Sequence, residues 1–192
     1  MADRLSALAH LPRDEDAEGA VRLSEVRAAS ILQIQAWPDT AEAVRSAVAD
    51  ILSFGAPAPG AAAVGDGVTV AAVAPGRYFV AGAADGLAER FAAALTSDDA
   101  AVTDFSHGRS ILRIEGEAAA EVLATGVMID LDPAAFPPGR VAQTMIHHID
   151  VLIHRRSATA FDLWVLRSFA EALAEWLLDA GAPGIRFTSP PS

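Results

Sequence analysis

The chain of 192 residues contains no cysteine. That excludes a disulfide scaffold, a thiolate metal site and a cysteine nucleophile. Lysine is also missing, and all 14 basic residues are arginine. A lysine base, a Schiff-base lysine and the phosphate-binding lysine of a P-loop are therefore excluded too. Long apolar runs are lacking. The mean hydropathy of +0.31 reflects abundant alanine, and the least charged stretch, 47–76, is broken by Gly55, Pro57, Pro59, Gly60, Gly65, Gly67 and Pro75. Nothing approaches the ~20 apolar residues of a spanning helix, so no membrane partner is expected. Positive charge is scarce: 25 acidic residues leave a net charge of -11, which argues against nucleic acid. The N-terminus shows no basic segment leading into an apolar one, and the expected location is cytoplasmic.

What remains is a 52% hydrophobic chain with 20% charged residues, too apolar to be disordered and long enough for a sizeable core. Residues 1–20, with Asp14, Glu15, Asp16 and Glu18, read as a flexible acidic leader. Residues 21–186 read as a single compact α+β domain, and 187–192 as a tail. Ser30–Ala36 alternates with Leu32, Ile34 and Ala36 on one face, which predicts a half-buried strand. Asp39 and Glu42 resemble a capping box ahead of a helix over 40–53, carrying Val44, Val48 and Leu52. Residues 55–67 read as a Gly/Pro/Ala loop, followed by strands near 67–74 and 77–82 joined at Pro75-Gly76. Asp85 is placed to cap a helix striped by Leu87, Phe91 and Leu95, and 101–105 reads as a strand.

Ser110-Ile-Leu-Arg-Ile-Glu115 repeats Ser30-Ile-Leu-Gln-Ile-Gln35 at an offset of 80 residues, and a helical segment follows each. Tyr78-Phe79-Val80 and Leu163-Trp164-Val165 also precede helices. This points to an internal duplication with pseudo-repeats over 21–105 and 106–186. The expected fold is two ferredoxin-like strand/helix units. In the last helix Ser168 and Glu171 form a second capping-box pattern. Phe169, Leu173, Trp176, Leu177 and Ala180 share one face, and Gly181 and Pro183 end the helix.

Candidate chemistry is sparse. His147, His148 and His154 fall in a segment that alternates as one long strand. His148, Asp150, His154 and Arg156 share its polar face, and His147 lies on the apolar parity as a core histidine. His148 and His154 are about 20 Å apart at ~3.3 Å per residue, too far to share an ion. A polar face turned to solvent or a partner is the competing reading. The Asp104-Phe-Ser-His-Gly-Arg109 segment reads as a turn, because a hydrolytic triad is drawn from separated segments and G-x-S-x-G is absent. Trp164 on a polar parity is either a partner anchor or a packed side chain.

The segments Asp104-Phe-Ser, Ile111–Gly116, Ala120–Gly126 and, above all, Asp130-Leu-Asp-Pro-Ala-Ala-Phe-Pro-Pro-Gly-Arg-Val-Ala-Gln-Thr144 resemble the gamma subunit family of heterotetrameric sarcosine oxidase. Phe161–Ala170 and Glu175–Leu178 continue the pattern. The resemblance implies a fold similar to the folate-binding region of glycine-cleavage T-protein (aminomethyltransferase). It also implies an accessory, non-catalytic subunit that stabilises an oxidase complex converting sarcosine to glycine in folate-linked one-carbon metabolism. By that resemblance the chain carries no catalytic, metal or cofactor site. FAD, FMN, NAD, tetrahydrofolate and zinc belong to partner subunits, and the alpha and beta subunits are the expected partners, with a homo-oligomer possible in isolation. Arg109, Arg113, Arg140, Arg155 and Arg156 are candidates for forked pairs with partner carboxylates, with Phe136, His148 and Trp164 as further contacts. Two rival readings remain open, a stand-alone folate-binding protein of the T-protein type and a solitary interaction module.

Overall fold

The computed structural model describes residues 6–13, 21–83, 86–181 and 184–189. The chain forms two compact units. One is Ala28–Ser106; the other joins the N-terminal residues through Arg27 to the chain from His107 onward. The residue 28 boundary differs from the expected pseudo-repeat start at residue 21. The strand β1 (Val21–Val26) pairs with elements of the C-terminal half.

The continuous unit begins with β2 (Ser30–Ala36) and α1 (Ala41–Leu52). It continues through β3 (Ala61–Gly65), β4 (Val68–Ala74), β5 (Arg77–Gly82), α2 (Leu87–Ala94) and β6 (Ala100–Asp104). All strand pairs are antiparallel, in the order β3-β4-β5-β2-β6. The period-2 pattern puts Leu32, Ile34 and Ala36 of β2 on the face that meets Val44, Val48 and Leu52 of α1 and Leu87 and Phe91 of α2. Each large side chain buried there contributes about 1.5–3 kcal/mol.

Two expectations change here. Residues 61–65, expected as loop, form β3, because a tight turn at Asp66 (φ 49) and Gly67 (φ 72) folds them back onto β4. A run of alanines carries no alternation, so periodicity could not reveal it. The capping box at Asp39 does not form. Thr40 is the N-cap with no side-chain cap bond, and Glu42 pairs with Arg45 one turn on. The capping role expected of Asp85 falls outside the described residues. The turn expected over 104–109 is what the structure has, between the end of β6 at Asp104 and the strand that starts at Arg109: the Ser106 N–H donates to Asp104 Oδ1 at 2.7 Å and its Oγ accepts from the Ile31 N–H at 2.9 Å.

The second unit contains β7 (Arg109–Glu115), α3 (Ala119–Ala124), β8 (Val141–Ile146), β9 (Ile149–Arg155), β10 (Ala160–Leu166), α4 (Ala170–Ala180) and β11 (Ile185–Thr188). Its sheet order is β11-β1-β7-β10-β9-β8. Strand for strand, β7, β8, β9, β10 and β11 occupy the places that β2, β3, β4, β5 and β6 hold in the first unit, with β1 added between β7 and β11. The fold is α+β in both. Leu112, Ile114, Leu163, Val165, Val151 and Ile153 meet Leu123 of α3 and Leu173 and Leu177 of α4 on one face of the sheet.

Leu8, within the expected flexible leader, is fully buried in this core, and Phe187, expected in the tail, is a buried residue of β11. The acidic cluster itself lies outside the described residues. The second capping box is also absent. No side-chain bond caps the 3-10 turn Arg167–Phe169 or α4, and Glu171 instead meets His10 at 2.9 Å. Phe169, expected in the core, is 46% exposed.

Candidate functional site

The polar side chains of the second unit gather on the sheet face opposite α3 and α4. Cross-strand register sets Arg113 of β7, Asp162 of β10 and His154 of β9 in one row. Arg113 donates to Asp162 through Nε at 2.7 Å and Nη2 at 3.0 Å, a two-pronged pair. Arg156, from the β9–β10 connection, adds a third bond at 3.2 Å. Burial alone would lower the Arg113 pKa, but Asp162 outweighs it and holds the guanidinium above its ordinary value.

His154 completes the row and is 1% exposed. Its Nδ1 is buried with no hydrogen-bond partner among the described residues. Desolvation brings its pKa down to about 4, against the pull of Asp162 in the other direction. The imidazole is therefore neutral at physiological pH. In the next row Trp164 is 1% exposed.

Arg155 faces the other way, among Val151 and Ile153 on the core side. Its Nη1 donates to the carbonyls of Leu131 at 2.8 Å and Phe136 at 2.9 Å. Nη2 reaches Ala158 at 3.0 Å, Nε reaches Ser157 at 3.2 Å, and the guanidinium lies over the Phe161 ring. The backbone joins in: the Gly139 N–H donates to the Arg155 carbonyl and the Arg155 N–H to the carbonyl of Arg140. One buried cation thus holds the loop 131–139 by its carbonyls. Phe136 points into the core at 6% exposure, while Asp132, Pro133, Ala134, Ala135, Pro137 and Pro138 face outward.

The expected long strand over 141–156 is a hairpin. A two-residue turn at His147-His148 reverses the chain, so Ile146 pairs with Ile149. His147, expected in the core, is exposed with φ 55; its N–H donates to the Gly126 carbonyl and its ring stacks on Trp176. Gly126 makes this packing possible, since a Cβ there would lie 2.5 Å from Trp176.

The eight expected contact residues therefore divide. Arg140 and His148 are exposed, and Arg109 is half-buried with its pKa lowered by desolvation. Phe136, Arg155 and Trp164 are buried within the chain, and Arg113 and Arg156 already share Asp162. At Arg113 the fork expected for a partner carboxylate is made with Asp162, and Arg156 adds a single bond to the same group. The reason is sheet register, which sets Asp162 beside Arg113. Arg155 could have been singled out from sequence by its parity with Val151 and Ile153. The carbonyls it binds could not.

Among the described residues no group of three or more His, Asp or Glu side chains is placed to hold a metal ion. A shallow cleft is lined by Ala7, Gly108, Arg167, Ser168 and Glu171. No helix among the described residues is long and apolar enough to cross a membrane.

Comparison with known proteins gives the arrangement a context. The GCVT N-terminal domain family matches residues 59–187. The chain is 32% identical over 185 residues to the sarcosine oxidase subunit gamma of Corynebacterium sp. (strain U-96), covering 92% of this chain and 89% of that one. It is 32% identical over 165 residues to the subunit gamma of Arthrobacter sp., covering 84% and 80%. Among solved structures it resembles a chain of the heterotetrameric sarcosine oxidase from Corynebacterium sp. U-96 with a TM-score of 0.82 at 31% identity, over 93% of this chain and 95% of that one. A glycine cleavage system aminomethyltransferase T from Bartonella henselae matches with a TM-score of 0.61 at 18% identity, over 88% of this chain and 48% of the other, and so shares the fold. By its sequence and its two-unit α+β architecture, the chain belongs to the sarcosine oxidase gamma subunit family, with a GCVT N-terminal domain.

Proposed function

We propose that this chain is the accessory gamma subunit of a heterotetrameric sarcosine oxidase, docking on alpha and beta subunits and stabilising the complex in the cytoplasm. The observation that carries this reading is the similarity to a chain of a heterotetrameric sarcosine oxidase along nearly the full length of both. A non-catalytic role is supported by how the buried polar groups are used. The guanidiniums of Arg113, Arg155 and Arg156 are bound to groups of their own chain, and His154 is buried at 1% exposure. FAD, FMN, NAD, tetrahydrofolate and zinc are then held by partner subunits, and the chain serves folate-linked one-carbon metabolism through the assembly.

Co-expression with the larger subunits tests this reading. The expected result is a yellow, flavin-bearing complex that retains the chain, demethylates sarcosine to glycine and releases hydrogen peroxide, and that loses stability when the chain is omitted. A colourless chain that purifies away from those subunits would overturn it. Titration of the isolated chain with tetrahydrofolate should show no saturable binding; tight binding would favour the stand-alone T-protein reading.

A further inference from the structure

In the continuous unit the connection from β2 to α1 exposes Trp37 at 42%. Tryptophan combines the largest side-chain surface with a polar tip, so its exposure is unusual enough to ask what holds it there. The indole is pinned. Its Nε1–H donates to the Ser97 carbonyl at 2.9 Å, on the connection between α2 and β6. Its backbone N–H donates to Thr40 Oγ1 at 2.9 Å, and that hydroxyl also bonds the Asp99 carbonyl. Thr96 in turn donates to the Asp99 carboxylate through its N–H at 2.9 Å and its hydroxyl at 2.7 Å. The ring is thus an aromatic surface fixed in advance, which loses little freedom on docking.

Two exposed carboxylates lie close to it along the chain and its bonded connection. Asp39 follows two residues after Trp37, Asp98 follows the residue that accepts the indole bond, and both are exposed. In the same unit Arg45 is paired with Glu42, while Arg77, turned to the neutral Gln35 side chain, keeps its charge. The negative face of an indole and two flanking carboxylates attract the same kind of group, a cation. A second copy of this chain is a poor occupant, because each copy carries a net charge of -11.

The geometry points to Trp37, with Asp39 and Asp98, as a docking surface for an arginine- or lysine-bearing segment of a partner protein. It rests on the proposed gamma-subunit role, which makes that partner one of the larger oxidase subunits. The guanidinium or ammonium group stacks on the indole while the carboxylates hold it in place. The chain supplies the aromatic and acidic half of the contact and the partner supplies the basic half.

The test is a binding titration of the full chain against the purified larger subunits at two salt concentrations. Trp37→Ala should raise Kd roughly tenfold or more, as for an aromatic hot spot. Trp37→Phe, which keeps a π face, should lose less. The double variant Asp39→Asn/Asp98→Asn should weaken binding and flatten its salt dependence, and it decides the matter if Trp37→Ala does not fold. Wild-type Kd and salt slope in the folded variants would overturn the inference while leaving the gamma-subunit role intact. Failure of the wild-type chain itself to bind would overturn both. A Trp37-dependent homodimer in sedimentation would assign the surface to a second copy and overturn the partner stated here.

Discussion

Two buried residues of the second unit decide the most at the residue scale. Arg155 is 2% exposed and donates to four backbone carbonyls. Removing it leaves buried acceptors without donors, so Arg155→Ala should destabilise the chain by about 3–5 kcal/mol, read from urea unfolding. Arg155→Lys should recover only part, since an ammonium cannot span carbonyls on both sides of the fork. His154 gives a pH signature. Its folded pKa near 4 lies below its ordinary 6.5. Between those values the unfolded chain binds more protons, so stability is full above about pH 6.5, falls as pH drops toward 4, and then levels off. The loss approaches roughly 3 kcal/mol at 1.36 kcal/mol per pKa unit. His154→Gln should flatten this slope between pH 4 and 6.5 in unfolding measured across pH; an unchanged slope would disprove the assignment. From sequence, His154 was legible as a member of the polar parity of its strand, but burial of that parity was not.

Packing at the element scale centres on one glycine. Gly126, at the end of α3, faces Trp176 of α4, and its carbonyl receives the N–H of His147 in the β8–β9 turn. A methyl group there must displace the indole, and Gly126→Ala should cost about 1–3 kcal/mol of stability. Adding Trp176→Ala should remove most of that coupling in a double-mutant cycle. Elements with strong periodicity were readable in advance: β2, α1, β7 and α4 fall within a few residues of their expected spans. The alanine-rich β3 and the His147-His148 turn were not. One lacks any apolar alternation, and the other interrupts a run whose parity continues through it. Neither capping box forms: Glu42 pairs with Arg45 one turn on, and Glu171 meets the His10 side chain in place of a backbone N–H.

Two acid effects coincide for the whole molecule. The chain has a pI of about 4.7, so its net charge and mutual repulsion vanish in the pH interval where His154 takes up its proton. Light scattering by the isolated chain should therefore peak near pH 4.7. In His154→Gln the peak should remain, because it follows net charge, while the acid loss of stability disappears. A peak that shifts with the variant would mean that unfolding, and not neutralisation, drives the association. One strand order recurs in both units, with β1 added in the second.

The sequence alone settled what local pattern and composition control. The alternating strands, the amphipathic helices and the acidic surface follow from period, charge and side-chain type, and the family follows from the text between Asp104 and Leu178. Tertiary structure decided which polar groups remain available to a partner. Arg113 is occupied because cross-strand register sets Asp162 beside it, Arg156 because the β9–β10 connection brings it to the same carboxylate, and Arg155 because the 131–139 loop folds over its end of β9. Trp37 stands exposed because Ser97, sixty residues later, returns to hold its indole. Such pairings join positions that local sequence leaves unrelated, and only the folded sheets bring them within bonding distance.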